Sequence, residues 1–443
     1  MLKTFPKGGV HPEENKFSAG KPIETLPVPK IASIPVAQHL GAPAVPIVKP
    51  GDKVKVGQLI AKSEGFISAN IHSSVSGTVK KIEQIPDASG YKKVAIIIEV
   101  EGDEWIEDID RSENIVSEIT HSKEEIIQKI ADAGIVGLGG ATFPTHVKLN
   151  IPKGKKAELI IINAVECEPY LTCDHQLMLE KGEEIITGVR LLMKALDVNR
   201  AIIGIENNKP DAIENLQKIA SQYQGIEVQA LEVKYPQGGE KQLVKALINR
   251  EVPSGGIPID VGIVAFNIGS VYATYEAIQK SKPLFERVLT VTGKSVRYPA
   301  NYKVRIGTPI SEVINATGGM PEDTGKIING GPMMGKAINN VDIPVIKGSS
   351  GILLIQEDEA ARKPVNACIR CGKCIAACPQ GLEPYLLMAL AERSIFDRLE
   401  KSGITDCMEC GSCSYTCPAN RPILDYIRFG KTSVIKIIRS RKK

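Results

Sequence analysis

The sequence predicts a multidomain chain of the α/β plus β class. Residues 48–83 alternate apolar and polar residues between glycines, which is typical of short strands joined by tight turns. Residues 157–281 alternate apolar strand-like and amphipathic helix-like segments, which is typical of a parallel sheet covered by helices. Eight of the ten cysteines lie between residues 368 and 417. At 443 residues, the chain has material for roughly two to four domains.

Composition excludes several classes of function. Hydrophobic residues make up 43% and charged residues 24%, as in ordinary globular domains. A net charge of +4 and an aromatic content of 5% argue against a nucleic-acid partner. No apolar run approaches the ~20 residues that span a bilayer, and residues 1–14 lack the apolar core of a signal peptide. We therefore expect a cytoplasmic protein without a transmembrane segment.

The first domain is predicted at residues 1–105. Its segment 48–83 resembles a lipoyl or biotinyl carrier domain, which is a barrel-sandwich hybrid. In those carriers a lysine at a hairpin tip receives the prosthetic group, whereas Phe66 lies near that position here. We interpret the domain as a rigid structural module, followed by an acidic connector at 101–114.

The second domain is predicted at residues 115–283. It opens with a helix that Ser122 and Glu125 cap as a capping box and that Gly134 terminates. Four strands are predicted at 158–164, 200–206, 226–233 and 261–267, and helices follow at 175–196, 209–223, 240–250 and 271–281. This alternation predicts a Rossmann-like domain with a mostly parallel sheet.

Three further parts follow toward the C-terminus. Residues 284–340 contain short strands with glycine and proline turns, which predict a small α+β module. Residues 360–425 hold the cysteine cluster, and 426–443 form a basic tail. The tail's mixture of isoleucine, lysine and arginine allows three interpretations: contact with an anionic membrane, docking on a membrane partner, or a solvated end.

The cysteines form two copies of the pattern C-x2-C-x2-C-x3-C-P. This pattern is typical of two 4Fe–4S clusters, in which the fourth cysteine of each copy reaches the other cluster. It predicts crossed ligand sets: Cys368, Cys371, Cys374 and Cys417 for one cluster, and Cys407, Cys410, Cys413 and Cys378 for the other. Structural zinc fits a third cysteine at the same spacing poorly, and clustered cysteines in a large intracellular chain disfavour disulfides.

A glycine-rich loop lies between Gly134 and Asn150. A Rossmann dinucleotide loop follows a strand and opens a helix, whereas a helix precedes this loop. The usual dinucleotide interpretation therefore fails on context.

The loop instead resembles the flavin loop of the NADH-binding flavoprotein subunit of respiratory complex I, whose pattern is G-R-G-G-A-G-F-P-T-G-x-K. The matching residues are Gly137, Gly139, Gly140, Ala141, Phe143, Pro144, Thr145 and Lys148. Leu138, Thr142 and His146 depart from the pattern. Two further segments resemble motifs of that family in the same order, with Asn163, Glu166, Glu168 and Pro169 in the first and Tyr235, Gly238 and Glu240 in the second.

Together with the lipoyl-like start and the paired cysteine motifs, these matches make the whole chain resemble the C subunit of the Rnf-type electron transport complex, in which ferredoxin:NAD electron flow is coupled to ion translocation. The resemblance implies non-covalent FMN, two 4Fe–4S clusters and NAD(H) as substrate. It implies that 284–340 is a soluble-ligand-binding β-grasp (SLBB) module and that 360–425 is ferredoxin-like and helical. It also implies a peripheral position on the cytoplasmic side of the membrane, with integral-membrane and ferredoxin-accepting subunits as partners.

Chemical roles follow for the matched residues. Gly137, Gly139 and Gly140 lack side chains, so their backbone N–H groups can approach the FMN phosphate and ring closely. Lys148 offers a cation for the phosphate, Phe143 offers a ring for stacking on adenine, and Asn163 ends a strand where ligands collect in α/β sheets. By resemblance, Glu168 and Glu240 bind NAD(H). The remaining predicted cofactor-binding residues are Glu166, Tyr235 and Gly238.

Two other functions share these motifs. One is a cobalamin reductase of the microcompartment type, which has the same domain order. The other is an electron-relay or docking subunit with a degenerate flavin site.

Overall fold

A computed structural model describes residues 2–441 of the chain. The N-terminal part is all β, with strands β1 (Ile23–Thr25), β2 (Ile31–Pro35), β3 (Val45–Pro46), β4 (Lys53–Val54), β5 (Leu59–Lys62), β6 (Ile71–His72), β7 (Gly77–Pro86) and β8 (Lys92–Val100). Two sheets, β2-β8-β7-β4 and β3-β5-β6, face each other across a core of aliphatic side chains that includes Ile34, Ile60 and Ile98. This arrangement confirms the predicted barrel-sandwich domain.

The central domain continues with α1 (Lys123–Asp132), α2 (Thr145–Leu149), β9 (Leu159–Asn163), α3 (Cys173–Glu180), α4 (Gly182–Leu196), β10 (Ala201–Glu206), α5 (Pro210–Ala220), β11 (Ile226–Leu231), α6 (Glu240–Ile248), β12 (Ile263–Asn267) and α7 (Ile268–Gln279). Its four strands are all parallel, which confirms the predicted sheet. Ser122 and Glu125 form the predicted capping box, and Gly134 follows α1 with φ +63°. The helix predicted at 175–196 is instead two helices, α3 and α4.

Helices cover both faces of this sheet because its strands are apolar on both sides. Ile160 and Ile162 of β9 pack with α1, α4, α5 and α7 on one face. Leu159 and Ile161 pack with α6 on the other. The strand order β11-β10-β9-β12 reverses between β9 and β12, although all four strands run in the same direction. In open α/β sheets, the carboxyl edge at such a reversal is where ligands bind.

The third domain contains β13 (Glu286–Thr292), β14 (Ala300–Arg305), α8 (Ile310–Ala316), β15 (Thr324–Asn329), β16 (Lys336–Ile338) and β17 (Gly351–Gln356). Its six-stranded sheet has the order β1-β14-β13-β17-β15-β16. Two of these strands lie outside the predicted range 284–340. β17 follows that range. β1 comes from the first domain and pairs in parallel with β14, with Ile23 opposite Asn301.

The C-terminal domain is helical, with α9 (Glu357–Ala360), α10 (Lys373–Ala376), α11 (Pro384–Glu392), α12 (Phe396–Lys401), α13 (Ser412–Tyr415) and α14 (Ile423–Ser440). α14 packs along α11 and α12 through buried residues such as Ile427 and Val434. Most of the predicted basic tail therefore belongs to a packed helix. Its last two residues, Lys442 and Lys443, lie outside the described residues.

A short segment of the central domain, residues 235–242, holds the C-terminal domain in place. Tyr235 is 2% exposed, and its hydroxyl donates to the carbonyl oxygen of Cys410 over 2.8 Å. Gln242 at the start of α6 donates to the carbonyl of Pro379 over 3.4 Å. A side chain on Gly239 would collide with Met408, so these two residues pack directly. We call this stretch the 235–242 segment.

The N-terminal residues 2–20 form a strap across the same junction. Lys3 and Val10 form isolated bridges to Leu231 and Tyr235. The N–H of Gly9 donates to the carbonyl of Ala377 over 3.0 Å, so the strap joins the first domain's start to the C-terminal domain.

Lys347 joins three domains. It is 1% exposed, and its Nζ donates to the carbonyl oxygens of Gly134 over 2.7 Å and Asn70 over 2.9 Å. Burial lowers the pKa of Lys347 from 10.5 to about 7. The Lys347 amine thus lies in the interior, and no carboxylate among residues 2–441 bonds to it.

Replacing this lysine should change the pH dependence of stability. Between pH of about 7 and 10.5 the unfolded chain binds a proton at Lys347 that the folded protein does not, so stability rises with pH, by up to about 1.4 kcal/mol per unit. Urea unfolding of Lys347→Met should lack that rise. The exposed Lys156→Met variant should keep it. An equal slope in both variants would contradict the assignment.

Tyr235→Phe should loosen the C-terminal domain. The change leaves the carbonyl of Cys410 without this donor inside the junction, at a cost of about 1–3 kcal/mol. We expect faster amide hydrogen exchange in 407–413 and unchanged exchange in β9. Tyr385→Phe, an exposed tyrosine of the same domain, is the control and should change neither.

Candidate functional site

The glycine loop lies at the carboxyl edge of the parallel sheet. It folds back on itself through the N–H of Gly137, which donates to the carbonyl of Phe143 over 2.9 Å. Leu138 is buried, and its N–H donates to the hydroxyl of Ser270 in α7 over 2.8 Å. Arg287 donates to the carbonyl of Leu138 over 2.9 Å. The loop is therefore fixed at its base, while Gly139 and Gly140 remain exposed.

The two exposed glycines have different surroundings. A Cβ on Gly139 would lie 2.8–3.0 Å from side-chain atoms of Asn267, so the loop approaches that asparagine closely. A Cβ on Gly140 would have no atom within 4 Å, so the space over this residue is open. Thr142, where the resembling pattern has glycine, adopts φ +51°. The backbone at Thr142 thus has a conformation that favours glycine, although the residue here is threonine.

Asn163 and Asn267 end the two strands at the reversal point and are register partners in the sheet. Asn163 donates to the carbonyl of Gly238 over 2.8 Å. Asn267 accepts from the N–H of Gly269, which caps α7, and donates to Asp174 over 2.8 Å. Asn267 was not among the predicted site residues. Its position just before α7, like that of an N-cap, was the available signal.

Lys148 and Glu240 pair with each other. The Lys148 ammonium donates to the carbonyl of Ala265 over 2.9 Å and lies 3.4 Å from a carboxylate oxygen of Glu240. Glu240 is exposed, and the Lys148 side chain is 27% exposed. An exposed pair of this kind is worth about 0–1 kcal/mol, so both groups remain available to a charged ligand.

Glu166 and Glu168 are occupied within the protein. Glu166 accepts from the N–H groups of Asp174 and His175 at the start of α3, over 2.7 and 3.1 Å. Glu168 accepts from the N–H groups of Met333 and Met334 in the third domain, over 3.0 and 2.8 Å. Burial raises the pKa of Glu168 to about 7. Both carboxylates thus have structural partners.

The remaining predicted residues lie in the 235–242 segment or beside it. The carbonyl of Gly238 binds Asn163, and its N–H donates to the sulfur of Cys167 over 3.3 Å. Tyr235 is buried with its hydroxyl on Cys410. Phe143 is half-buried within the glycine loop. The segment therefore contacts the end of β9 on one side and a cysteine motif on the other.

The cysteines lie in two groups, and none of the ten forms a disulfide. Cys378, Cys407, Cys410 and Cys413 line one cavity together with apolar residues such as Leu387 and Ile427. Cys417 lies close enough to Cys374 to add to the effect of burial, which raises the pKa of that thiol. Cys378 of the first motif thus lies among the second motif's cysteines, and Cys417 of the second motif lies near Cys374 of the first. The crossed ligand sets stay a prediction.

The two motifs also share their backbone conformation. Arg370 and Glu409 have φ +57° and +61°, and Gly372 and Gly411 have φ +72° and +80°. Each motif then enters a short helix, α10 or α13. These residues suit the proposed cofactors: the four thiols converge on one apolar cavity, and the open space over Gly140 allows a ligand to reach the backbone.

Four family models match successive parts of the chain. They are the RnfC barrel sandwich hybrid domain at residues 3–103, the Nuo51 FMN-binding domain at 130–276, the SLBB domain at 288–337 and the 4Fe-4S dicluster domain at 360–418. These matches confirm the predicted fold class, domain by domain.

Several curated relatives match nearly the whole chain, and each is the C subunit of an oxidoreductase complex. That of the proton-translocating ferredoxin:NAD(+) oxidoreductase complex of Clostridium ljungdahlii is 49% identical over 98% of this chain and 94% of its own length. That of the Na(+)-translocating ferredoxin:NAD(+) oxidoreductase complex of Acetobacterium woodii is 44% identical over 97% of both chains. That of the ion-translocating oxidoreductase complex of Rhodobacter capsulatus is 43% identical over 97% of this chain and 83% of its own.

Among solved structures, an NAD+-reducing NiFe hydrogenase in the H2-reduced state shares the fold, with a TM-score of 0.52 and 17% identity. The likeness covers 71% of this chain and 63% of that one. Within residues 2–441, no helix combines the length and apolarity needed to cross a bilayer. The near-complete coverage of the curated relatives shows that the chain belongs to the family of C subunits of Rnf-type ion-translocating oxidoreductase complexes.

Proposed function

We propose that this chain is a peripheral electron-transfer subunit that exchanges electrons between NAD(H) and ferredoxin-linked partners in a membrane-bound, ion-translocating complex. One observation carries the proposal. The glycine loop and the paired asparagines at the sheet edge adjoin the 235–242 segment, which in turn contacts the cavity lined by four cysteines. The proposed nucleotide site and the proposed cluster site thus contact the same eight-residue segment of the central domain.

The flavin site is assigned to the carboxyl edge of the parallel sheet. When bound there, FMN supplies the conversion between two-electron exchange with NAD(H) and one-electron exchange with the clusters. Gly139 and Gly140 present exposed backbone to it, and Lys148 supplies a cation for its phosphate. The N–H of Gly137 closes the loop by bonding to Phe143. Asn163 and Asn267 fix the neighbouring segments at the sheet edge through their bonds to Gly238 and Asp174. NAD(H) is assigned to the exposed side, beside Phe143 and Glu240.

Three predicted nucleotide-binding residues receive positioning roles instead. Glu166 caps α3, Glu168 holds the loop at Met333, and Tyr235 holds Cys410. Each of these polar groups already has a partner inside the protein, and we infer that holding that partner is its main role.

The clusters are assigned to the crossed ligand sets. Cys407, Cys410, Cys413 and Cys378 hold the cluster next to the 235–242 segment, and Cys368, Cys371, Cys374 and Cys417 hold the outer one. The names of the relatives support this function over a cobalamin reductase. They name a multi-subunit complex, and we propose integral-membrane and ferredoxin-accepting subunits as this chain's partners and the cytoplasmic side of the membrane as its position.

The proposal is tested with full-length protein whose clusters have been reconstituted. We expect it to bind FMN in a one-to-one ratio, and we expect NADH to bleach both the flavin and the cluster absorbance under anaerobic conditions. A protein with intact clusters that binds no FMN, or that NADH cannot reduce, would instead be a relay or docking subunit.

Gly140→Ala should separate ligand binding from folding. The added methyl group enters space that holds no protein atom, so the thermal stability of the ligand-free protein should stay within about 0.5 kcal/mol. The same methyl group would displace a flavin packed on the backbone, so FMN affinity should fall by at least about tenfold, or 1.4 kcal/mol. Quenching of flavin fluorescence measures the affinity. Unchanged affinity would contradict the placement of FMN over Gly140.

A further inference from the structure

The loop between β9 and α3, residues 164–172, leaves the carboxyl edge of the parallel sheet. We call it the edge loop. Two of its residues, Glu166 and Tyr170, have φ +47° and +70°. This left-handed conformation is unfavourable for residues other than glycine, asparagine and aspartate. The edge loop therefore needs contacts from other parts of the chain to keep its shape.

Lys16 of the N-terminal strap supplies the central contact. Its Nζ donates to the carbonyl oxygens of Glu166 over 3.1 Å, Glu168 over 2.9 Å and Leu171 over 2.6 Å. A lysine ammonium has three N–H donors, so these bonds use all of them. One side chain of the first domain thus fixes three backbone groups of the edge loop.

The neighbouring strap residues contact the same loop. The carbonyl of Glu14 accepts from the N–H of Tyr170 over 2.8 Å. The hydroxyls of Ser18 and Thr172 lie 2.6 Å apart and share a hydrogen bond. The ring of Phe17 packs edge-on against that of Tyr170, with 5.8 Å between the ring centres. Residues 14–18 therefore hold the edge loop as far as the start of α3.

Lys16 also brings a positive charge to this edge. Among residues 2–441, its ammonium bonds to carbonyl oxygens and to no carboxylate. Burial lowers the pKa of Lys16, Lys209 lowers it further, and the carboxylates of Glu166 and Glu206 raise it. Little water screens a charge in such a position, so its field reaches further than that of a surface lysine.

The edge loop leads to the proposed flavin site through a series of contacts. The carboxylate of Glu166 accepts from the N–H of Asp174 over 2.7 Å. The side chain of Asp174 accepts from that of Asn267 over 2.8 Å. Asn267 in turn lies against Gly139 of the glycine loop. The strap and the glycine loop are thus connected without a gap.

We propose that Lys16 is a positioning residue for the flavin, which fixes the edge loop and adds a positive charge beside it. The inference rests on the proposed function and extends the flavin site to a residue of the first domain. The fixed loop keeps Asp174 and Asn267 in place and so supports the affinity for FMN. The reduced flavin is richer in electrons than the oxidised flavin, so a nearby positive charge raises its reduction potential.

The test compares variants of the full-length protein with reconstituted clusters and added FMN. Lys16→Met removes the charge and three hydrogen bonds, so FMN affinity should fall at least about tenfold and the flavin midpoint potential should become more negative. Lys16→Arg keeps the charge and should leave the potential near that of the unaltered protein. The matched control Lys7→Met removes an exposed lysine of the same strap and should change neither quantity. Quenching of flavin fluorescence gives the affinity, and a redox titration gives the potential.

Hydrogen exchange of the ligand-free protein separates this inference from the proposed function because it needs no flavin. Lys16→Met should speed amide exchange in residues 164–172, and Lys7→Met should not. An unaltered protein that binds no FMN contradicts the proposed function. An unaltered protein that binds FMN no more tightly than Lys16→Met, and with the same potential, contradicts this inference alone.

Two further results would overturn the inference. One is an equally negative potential in Lys16→Arg and Lys16→Met, since the charge would then have no effect. The other applies if Lys16→Met does not fold. Ser18→Ala removes only the hydroxyl bond to Thr172 and should weaken FMN binding by about threefold, so unchanged binding would show that the strap does not act on the flavin site.

Discussion

The hydrogen bond from Tyr235 to Cys410 lies at the centre of this structure because the segment that makes it serves two sites. Gly238 and Glu240 face the sheet edge, where they contact Asn163 and Lys148. Three residues before Gly238, Tyr235 donates to the carbonyl of Cys410, which lines the inner cysteine cavity. The segment has only eight residues, so its two ends do not move independently of each other. The distance between the nucleotide edge and the inner motif is therefore set by the backbone of the central domain.

This constraint makes the two copies of the cysteine motif inequivalent, although their sequences follow the same pattern. The two cysteine motifs have equal spacing and matching backbone angles, so neither differs in its own geometry. Their neighbours differ. The second motif, at 407–417, packs against the 235–242 segment and α14. The first motif is exposed at Cys368 and Cys371, and only its end, at Ala377 and Pro379, bonds to the strap and to Gln242. The proposed order of electron transfer, from flavin to inner cluster to outer cluster, therefore rests on the packing of the domains and not on the motifs themselves.

The sequence predicted those features of the fold that depend on residues close together in the chain. Alternating strands and helices, the capping box at Ser122 and the repeated cysteine spacing each arise from residues close together in the chain, and the structure has them. Contacts between distant residues were missed. β1 joins the third domain's sheet, Lys347 binds Asn70 and Gly134, and Glu168 turns to Met333. No pattern within a short window carries that information, because a carboxylate near a ligand edge looks the same whether it binds a ligand or a neighbouring loop.

The most direct test of this account is NADH reduction of two variants, Cys417→Ser and Cys378→Ser, each loaded with FMN and followed by EPR. In Cys417→Ser the outer cluster loses a predicted ligand, and NADH should still reduce the inner cluster. In Cys378→Ser the inner cluster loses a predicted ligand, and NADH should reduce the flavin while the outer cluster stays oxidised. Rapid reduction of the outer cluster in Cys378→Ser would contradict the order of electron transfer that the 235–242 segment implies.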